Sequence, residues 1–174
     1  SVPSLKSILA GADTSVQEAD PWPCLRHLAC VKSGLQFMDS SLALLPAVSL
    51  LNLSRARISS AENLQACAAL TCLDLSFNVI ASTAGIHRVV ACVTCLVLRC
   101  NNVRRTTGLE HLLTLRSLDL AGNLLSDMKE VARIATLPCL SALWLEGNPL
   151  SFQSNNYRAE VLSLFKVRGV RLCP

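Results

Sequence analysis

Leu70-Thr71-Cys72-Leu73-Asp74-Leu75-Ser76-Phe77-Asn78-Val79-Ile80 is the stretch that decides the fold. Its apolar residues fall at positions one, four, six and eleven, and Asn78 stands at position nine. Leu115, Leu118, Leu120, Asn123 and Leu125 repeat that spacing, as do Leu140, Leu143, Leu145, Asn148 and Leu150. Val93, Leu96, Leu98, Asn101 and Val103 follow it with conservative exchanges. Val48, Leu51, Leu53, Ala56 and Ile58 follow it with Ala56 in place of Asn, and Leu25, Leu28, Cys30, Ser33 and Leu35 form a degenerate first copy. The copies start at 25, 48, 70, 93, 115 and 140, so the successive gaps are 23, 22, 23, 22 and 25. A fixed period of this length means stacked coils.

The spacing carries its own physics. Positions three to seven, x-L-x-L-x, read as a short strand with period two, its two Leu turned into the coil. The Asn three residues after the second strand Leu turns the chain inward, and its amide can satisfy backbone groups that would otherwise be buried without partners. Thr106, Leu109 and Leu112, and likewise Met128, Val131 and Ile134, return the chain to the next strand at helical spacing. No single coil buries its Leu face, so the coils stack into a solenoid with a parallel sheet on the concave side. The reading is an α/β leucine-rich-repeat solenoid of six coils over residues 25–150, with an N-terminal cap over 1–24 and a C-terminal cap over 151–174. Leu5, Ile8 and Leu9 make a short helical face that ends at Gly11, and Asp13 to Pro23 reads as loop. In the C-terminal cap Tyr157, Val161, Leu164 and Phe165 share one helical face.

Composition excludes several classes. The chain has 174 residues, 51% of them hydrophobic and 16% charged, with a net charge of +4. The 16 basic residues are scattered rather than clustered, Arg104-Arg105 being the densest pair, which argues against nucleic acid. Mean hydropathy is +0.42, yet no run of about 18 apolar residues occurs, so no membrane-spanning helix is expected. The chain begins Ser1-Val2-Pro3 without Met and reads as a piece of a larger protein. Nine cysteines, an odd number set mostly among Leu, Val and Ala, read as free thiols in a reducing, cytoplasmic compartment.

The residues resemble a known family. The 22-residue repeats are similar to those of intracellular proteins of the protein phosphatase one regulatory-subunit type, a type shared with the axonemal dynein leucine-rich light chain. The ending Trp144-Leu145-Glu146-Gly147-Asn148-Pro149-Leu150, followed by Tyr157-Arg158, looks like the cap of that group. Leu115 to Leu125, Trp144 to Leu150 and Met38-Asp39-Ser40-Ser41-Leu42 look most like the leucine-rich domain of the nischarin and serine/threonine-kinase-eleven-interacting protein group. The resemblance implies an intracellular scaffold that binds signalling or cytoskeletal proteins and has no enzymatic activity. The departures are Ala56 and Ser33 at the Asn position and the number of cysteines.

No catalytic constellation stands out. His27, His87 and His111 are isolated in sequence, and there is no phosphate loop or acidic metal cluster. Cys92-x-x-Cys95 with Cys100 has the look of half a zinc site, but the repeat points the three in different directions and no second half is present. Cys72 and Cys95 hold the third position of adjacent copies, so their thiols are expected side by side on the concave face. No metal or other cofactor is expected.

Positions three, five and seven of each copy are expected to face outward from the sheet. The site residues named on this basis are Leu50, Asn52, Asp74, Val97, Arg99, Asp119, Trp144 and Glu146. Trp and Arg are enriched at binding hot spots, which singles out Trp144 and Arg99. Arg99 is expected between Asp74 and Asp119, as an internal ion pair or a partner contact, and Trp144 either binds a partner or packs on the cap. The functional expectation is a non-catalytic module that docks a protein partner. The alternative is a structural subunit of a cytoskeletal, axonemal or ciliary assembly.

Overall fold

The computed structural model describes residues 22–88, 90, 92–165 and 169–173. Most of the expected N-terminal cap, including the Leu5, Ile8 and Leu9 face, lies outside the described residues. Within the Asp13 to Pro23 segment read as loop, the described end forms part of a 3-10 turn, Trp22–Cys24.

Each copy of the repeat contributes one strand of three residues. These are β1 (His27–Ala29), β2 (Leu50–Asn52), β3 (Cys72–Asp74), β4 (Cys95–Val97), β5 (Ser117–Asp119) and β6 (Ala142–Trp144). They join in sequence order into one sheet in which every neighbouring pair is parallel. The register matches position three with three, four with four and five with five, as in Leu50↔Cys72↔Cys95↔Ser117↔Ala142. The Leu at position four therefore stack as one row, and from Leu51 to Leu143 each is at most 1% exposed. A second row, Leu53, Leu75, Leu98, Leu120 and Leu145, lies beneath it.

The return halves are short because about twelve residues must cross the core and come back. They form 3-10 turns at Ser40–Leu44, Leu64–Ala66, Ile86–Arg88 and Leu109–His111. Leu42, Leu64, Ile86 and Leu109 plug them into the core. Only the fifth return, in the longest gap, has room for an α-helix, α1 (Met128–Ile134), capped by the Asp127 carboxylate accepting from Lys129 N–H. Asp39 caps the first return in the same way through Ser41 N–H.

The Asn at position nine joins one coil to the one before it. Asn101 Nδ2 donates to Leu75 O at 2.9 Å and Leu98 O at 3.0 Å, and its Oδ1 accepts from Ile80 N–H at 3.0 Å. Asn78, Asn123 and Asn148 do the same in their coils. The expected role in the bend is thus extended: each amide also ties the preceding coil. Ala56 is buried at this place but offers no such group, and Ser33 Oγ is buried without a hydrogen-bond partner.

The far end closes with α2 (Tyr157–Leu164), whose Tyr157 and Val161, together with Phe165, are buried against the last coil. The structure adds a strand that the sequence reading did not contain. β7 (Arg171–Cys173) pairs parallel with β6, Leu143↔Leu172, and Arg158 donates to Leu172 O at 2.7 Å. Three residues with one buried Leu carry too little pattern to be recognised without the sheet edge they complete. No helix among the described residues is long and apolar enough to cross a membrane.

Candidate functional site

Positions three and five of each strand open onto the concave face, and the burial alternates accordingly, with position four enclosed. Position seven departs from expectation. Ser54, Ser76 and Ala121 are buried, because the strands end at position five and the chain already turns into the next bend. Only Val31, Arg99 and Glu146 keep position seven open to solvent.

At position five, three of the named residues do a local job. Asn52, Asp74 and Asp119 each accept, through Oδ1, the backbone N–H two residues on: Ser54, Ser76 and Ala121, at 2.9, 2.8 and 2.9 Å. A short side-chain acceptor here satisfies the first amide beyond the strand, an Asx turn. Val97 and Trp144 hold the same position without a side-chain acceptor, and both are partly exposed. Their presence on the open face is not accounted for by the turn.

Arg99 reaches toward the C-terminal coils rather than toward Asp74. Its Nη1 lies 2.7 Å from Glu146 Oε1 and 3.7 Å from Asp119 Oδ2. The expectation of Arg99 between Asp74 and Asp119 is corrected in this respect: the guanidinium spans coils four to six. The hydrogen bond to Glu146 holds it more firmly protonated. Burial pushes the Asp119 carboxyl above its ordinary value, while the Ala121 N–H and Arg99 oppose that rise. With Arg99 41% and Glu146 35% exposed, the pair is half in water and worth at most about 1 kcal/mol.

The other half of the face is apolar. Leu50, Asn52, Asp74 and Val97 meet His27, Leu28, Ala29, Leu51 and Cys72 around a shallow depression of about 420 Å³. Leu50 is 41% exposed there, and Val31 beside the first strand 44%. The eight named residues therefore fall into two groups. Four line the depression over β1–β4, and Arg99, Asp119 and Glu146 form an ionic cluster over β4–β6, with Trp144 in register beside Asp119. Sequence reasoning placed His27, Ala29 and Cys72 on the concave face but did not include them in the site. Only the strand register and the lining of the depression show that they share a floor.

Cys72 and Cys95 lie directly opposite each other on β3 and β4. Both are free, and the Cys72 thiol is pushed up to about 12 by burial, by its hydrogen bond to Cys95 and by the charges of Cys95 and Asp74. Cys30 and Cys67 are buried, and burial raises their thiols, in keeping with small hydrophobic core residues. A ladder of hydroxyls at position two, absent from the sequence reading, edges the sheet: Thr71 and Thr94 donate to Ser49 O and Thr71 O at 3.1 and 3.2 Å.

One strand per coil, a parallel register without offsets and an asparagine ladder define a leucine-rich-repeat solenoid. The comparisons agree with that class. No family model matches the chain. It is similar to serine/threonine-protein kinase 11-interacting protein of Homo sapiens, with 35% identity over 160 residues, 91% of this chain and 15% of that protein. The Gallus gallus protein of the same name is 32% identical over 163 residues, again 15% of its length. The chain thus spans about 15% of the length of these relatives. Among solved structures it is similar to an internalin of Listeria monocytogenes, with a TM-score of 0.57 and 19% identity over 72% of this chain and 36% of the internalin. A chain of the Drosophila melanogaster SNF/U2A' complex gives a TM-score of 0.56 and 25% identity over 68% of this chain and 70% of its own length. The chain has the leucine-rich-repeat solenoid fold.

Proposed function

We propose that this solenoid is a non-catalytic protein-interaction module of a larger cytoplasmic scaffold, docking one partner across its concave sheet. The depression over β1–β4 takes the partner's apolar anchor, and the Arg99 cluster with Trp144 supplies the polar flank. The observation that carries this reading is the depression itself. Leu50 and Val97 line an open depression of about 420 Å³ over the strands. Apolar surface gathered in a concavity and rimmed by polar groups is the usual mark of a binding site. The relatives' name describes interaction with serine/threonine-protein kinase 11. That supports a signalling protein as partner class and makes this kinase the first candidate to test. The repeat length supports kinship with the intracellular phosphatase-regulatory type of repeat.

The test is quantitative capture by the immobilised domain, from purified kinase and from cell lysate. Leu50→Glu with Val97→Glu should reduce capture of a specific partner at least about tenfold, the loss of about 1.4 kcal/mol of binding. Leu113→Glu, at a site 60% exposed outside the strands, should leave it unchanged. Equal capture by all three proteins, each shown to be folded by circular dichroism, would remove the concave face from consideration.

A further inference from the structure

We propose that Cys72 and Cys95 form a reversible cross-strand disulfide on the concave face, so that β3 and β4 carry a thiol–disulfide site. The argument starts from register. The two residues are direct partners in a parallel ladder, at position three, where side chains open outward. Neighbouring strands lie about 4.8 Å apart, inside the Cα separation of about 4.4–6.8 Å that a disulfide spans. Both side chains are partly exposed, so a small reagent reaches them. Because the two residues hold the same register position, their sulfurs leave neighbouring strands on the same face of the sheet. At the same position in the flanking strands stand Leu50 and Ser117, so the fold itself does not call for sulfur here.

The chemistry balances with a low-molecular-weight disulfide such as oxidised glutathione as the oxidant. Cys95 loses its proton to solvent and its sulfur attacks one sulfur of the reagent. The reagent's S–S bond breaks, one glutathione leaves as thiolate, and the other remains on Cys95. Cys72 then loses its proton and attacks Cys95 Sγ, displacing the second glutathione. Two protein thiols are oxidised and one reagent disulfide is reduced to two thiols. The Cys72 thiol holds its proton tightly, which makes it the resolving rather than the attacking group. Facing side chains of an in-register parallel pair stand farther apart at Cβ than the approximately 3.8 Å a relaxed disulfide prefers, so the bond is strained and readily reduced. Cys72 lines the depression, so the disulfide also alters the floor on which the proposed partner would sit. The thiol chemistry itself stands apart from the docking proposal.

The experiment equilibrates the purified chain with graded ratios of oxidised to reduced glutathione, then applies alkylation, intact mass measurement and fragment mapping. Exposed Cys139 serves as an internal control for reagent activity. The expected result is loss of two hydrogens assigned to a Cys72–Cys95 link, reversed by reduced glutathione, with no glutathione retained on either. Cys72→Ser should trap glutathione on Cys95, and Cys95→Ser should leave Cys72 unmodified. Serine already occupies position three as Ser117, so both variants fit the sheet. The proposal is overturned if the unaltered chain retains glutathione on Cys95 as fully as Cys72→Ser does. It is equally overturned if either cysteine links elsewhere, or if neither oxidises at ratios that modify Cys139.

Discussion

A single amide at the ninth position of a coil settles three buried backbone groups, and removing it shows what the position is for. Asn101→Ala leaves Ile80 N–H without the oxygen that pairs it, whereas Leu75 O keeps Asn78 Nδ2 and Leu98 O keeps Asn123 Nδ2 as donors. One orphaned buried amide costs about 1–3 kcal/mol, so the variant should lose about that much in urea unfolding. Asn102→Ala, one residue on and exposed, should change stability by less than about 0.5 kcal/mol. Asp119 behaves differently. Its folded carboxyl sits above the ordinary 3.8, so its favourable contribution is full below 3.8 and is lost as pH rises through the folded value. Asp119→Asn keeps an oxygen for Ala121 N–H, as Asn52 does for Ser54, and removes the charge. Thermal melts should find it at least as stable as the unaltered protein at neutral pH, with any advantage vanishing near pH 3.8. The ninth-position Asn was legible because it recurs with the period. The Asx role of Asn52, Asp74 and Asp119 was not, because a short polar side chain at the end of a strand reads as surface until the following backbone N–H is seen to turn onto it.

Among the elements, the strands and returns were legible to different degrees. Strand register followed from the repeat, since each copy brings the same positions to the sheet while the returns absorb the differences in coil length. The returns did not: about twelve residues with threefold apolar spacing allow a 3-10 turn or an α-helix, and only coil length separates them, as α1 in the longest gap shows. The coils also touch through backbone. Gly108 has φ +97°, and a Cβ built there would lie 2.8 Å from Thr83 O, a backbone atom that cannot swing away. Gly108→Ala should cost more than about 1 kcal/mol, read by urea unfolding. A second tie at this level is the Glu130 carboxylate of α1, which accepts from Thr106 N–H at 2.7 Å and from Thr106 Oγ1 at 3.0 Å. Both groups are buried. Thr106→Val removes the hydroxyl and should destabilise by about 1–3 kcal/mol, loosening the α1 end first in amide exchange.

For the whole molecule, ends and faces matter more than single contacts, because each coil is stabilised mainly by its neighbours. Ending the chain at residue 156 would remove α2 and β7 and bare the edge of β6. Light scattering should then report aggregation, since an uncovered sheet edge and a row of Leu invite pairing. The location of the site was half legible in the sequence. The repeat assigned residues to the concave face, but the split into an apolar depression and an Arg99 cluster depends on how side chains of neighbouring strands gather and on which way one guanidinium swings. The most direct test of the docking account is hydroxyl-radical footprinting of the domain with and without its captured partner. The account predicts that Leu50, Val97 and Trp144 become protected while Leu113 and Phe152, both exposed away from the concave strands, stay reactive. Protection of Leu113 or Phe152 with Leu50, Val97 and Trp144 unchanged would contradict it.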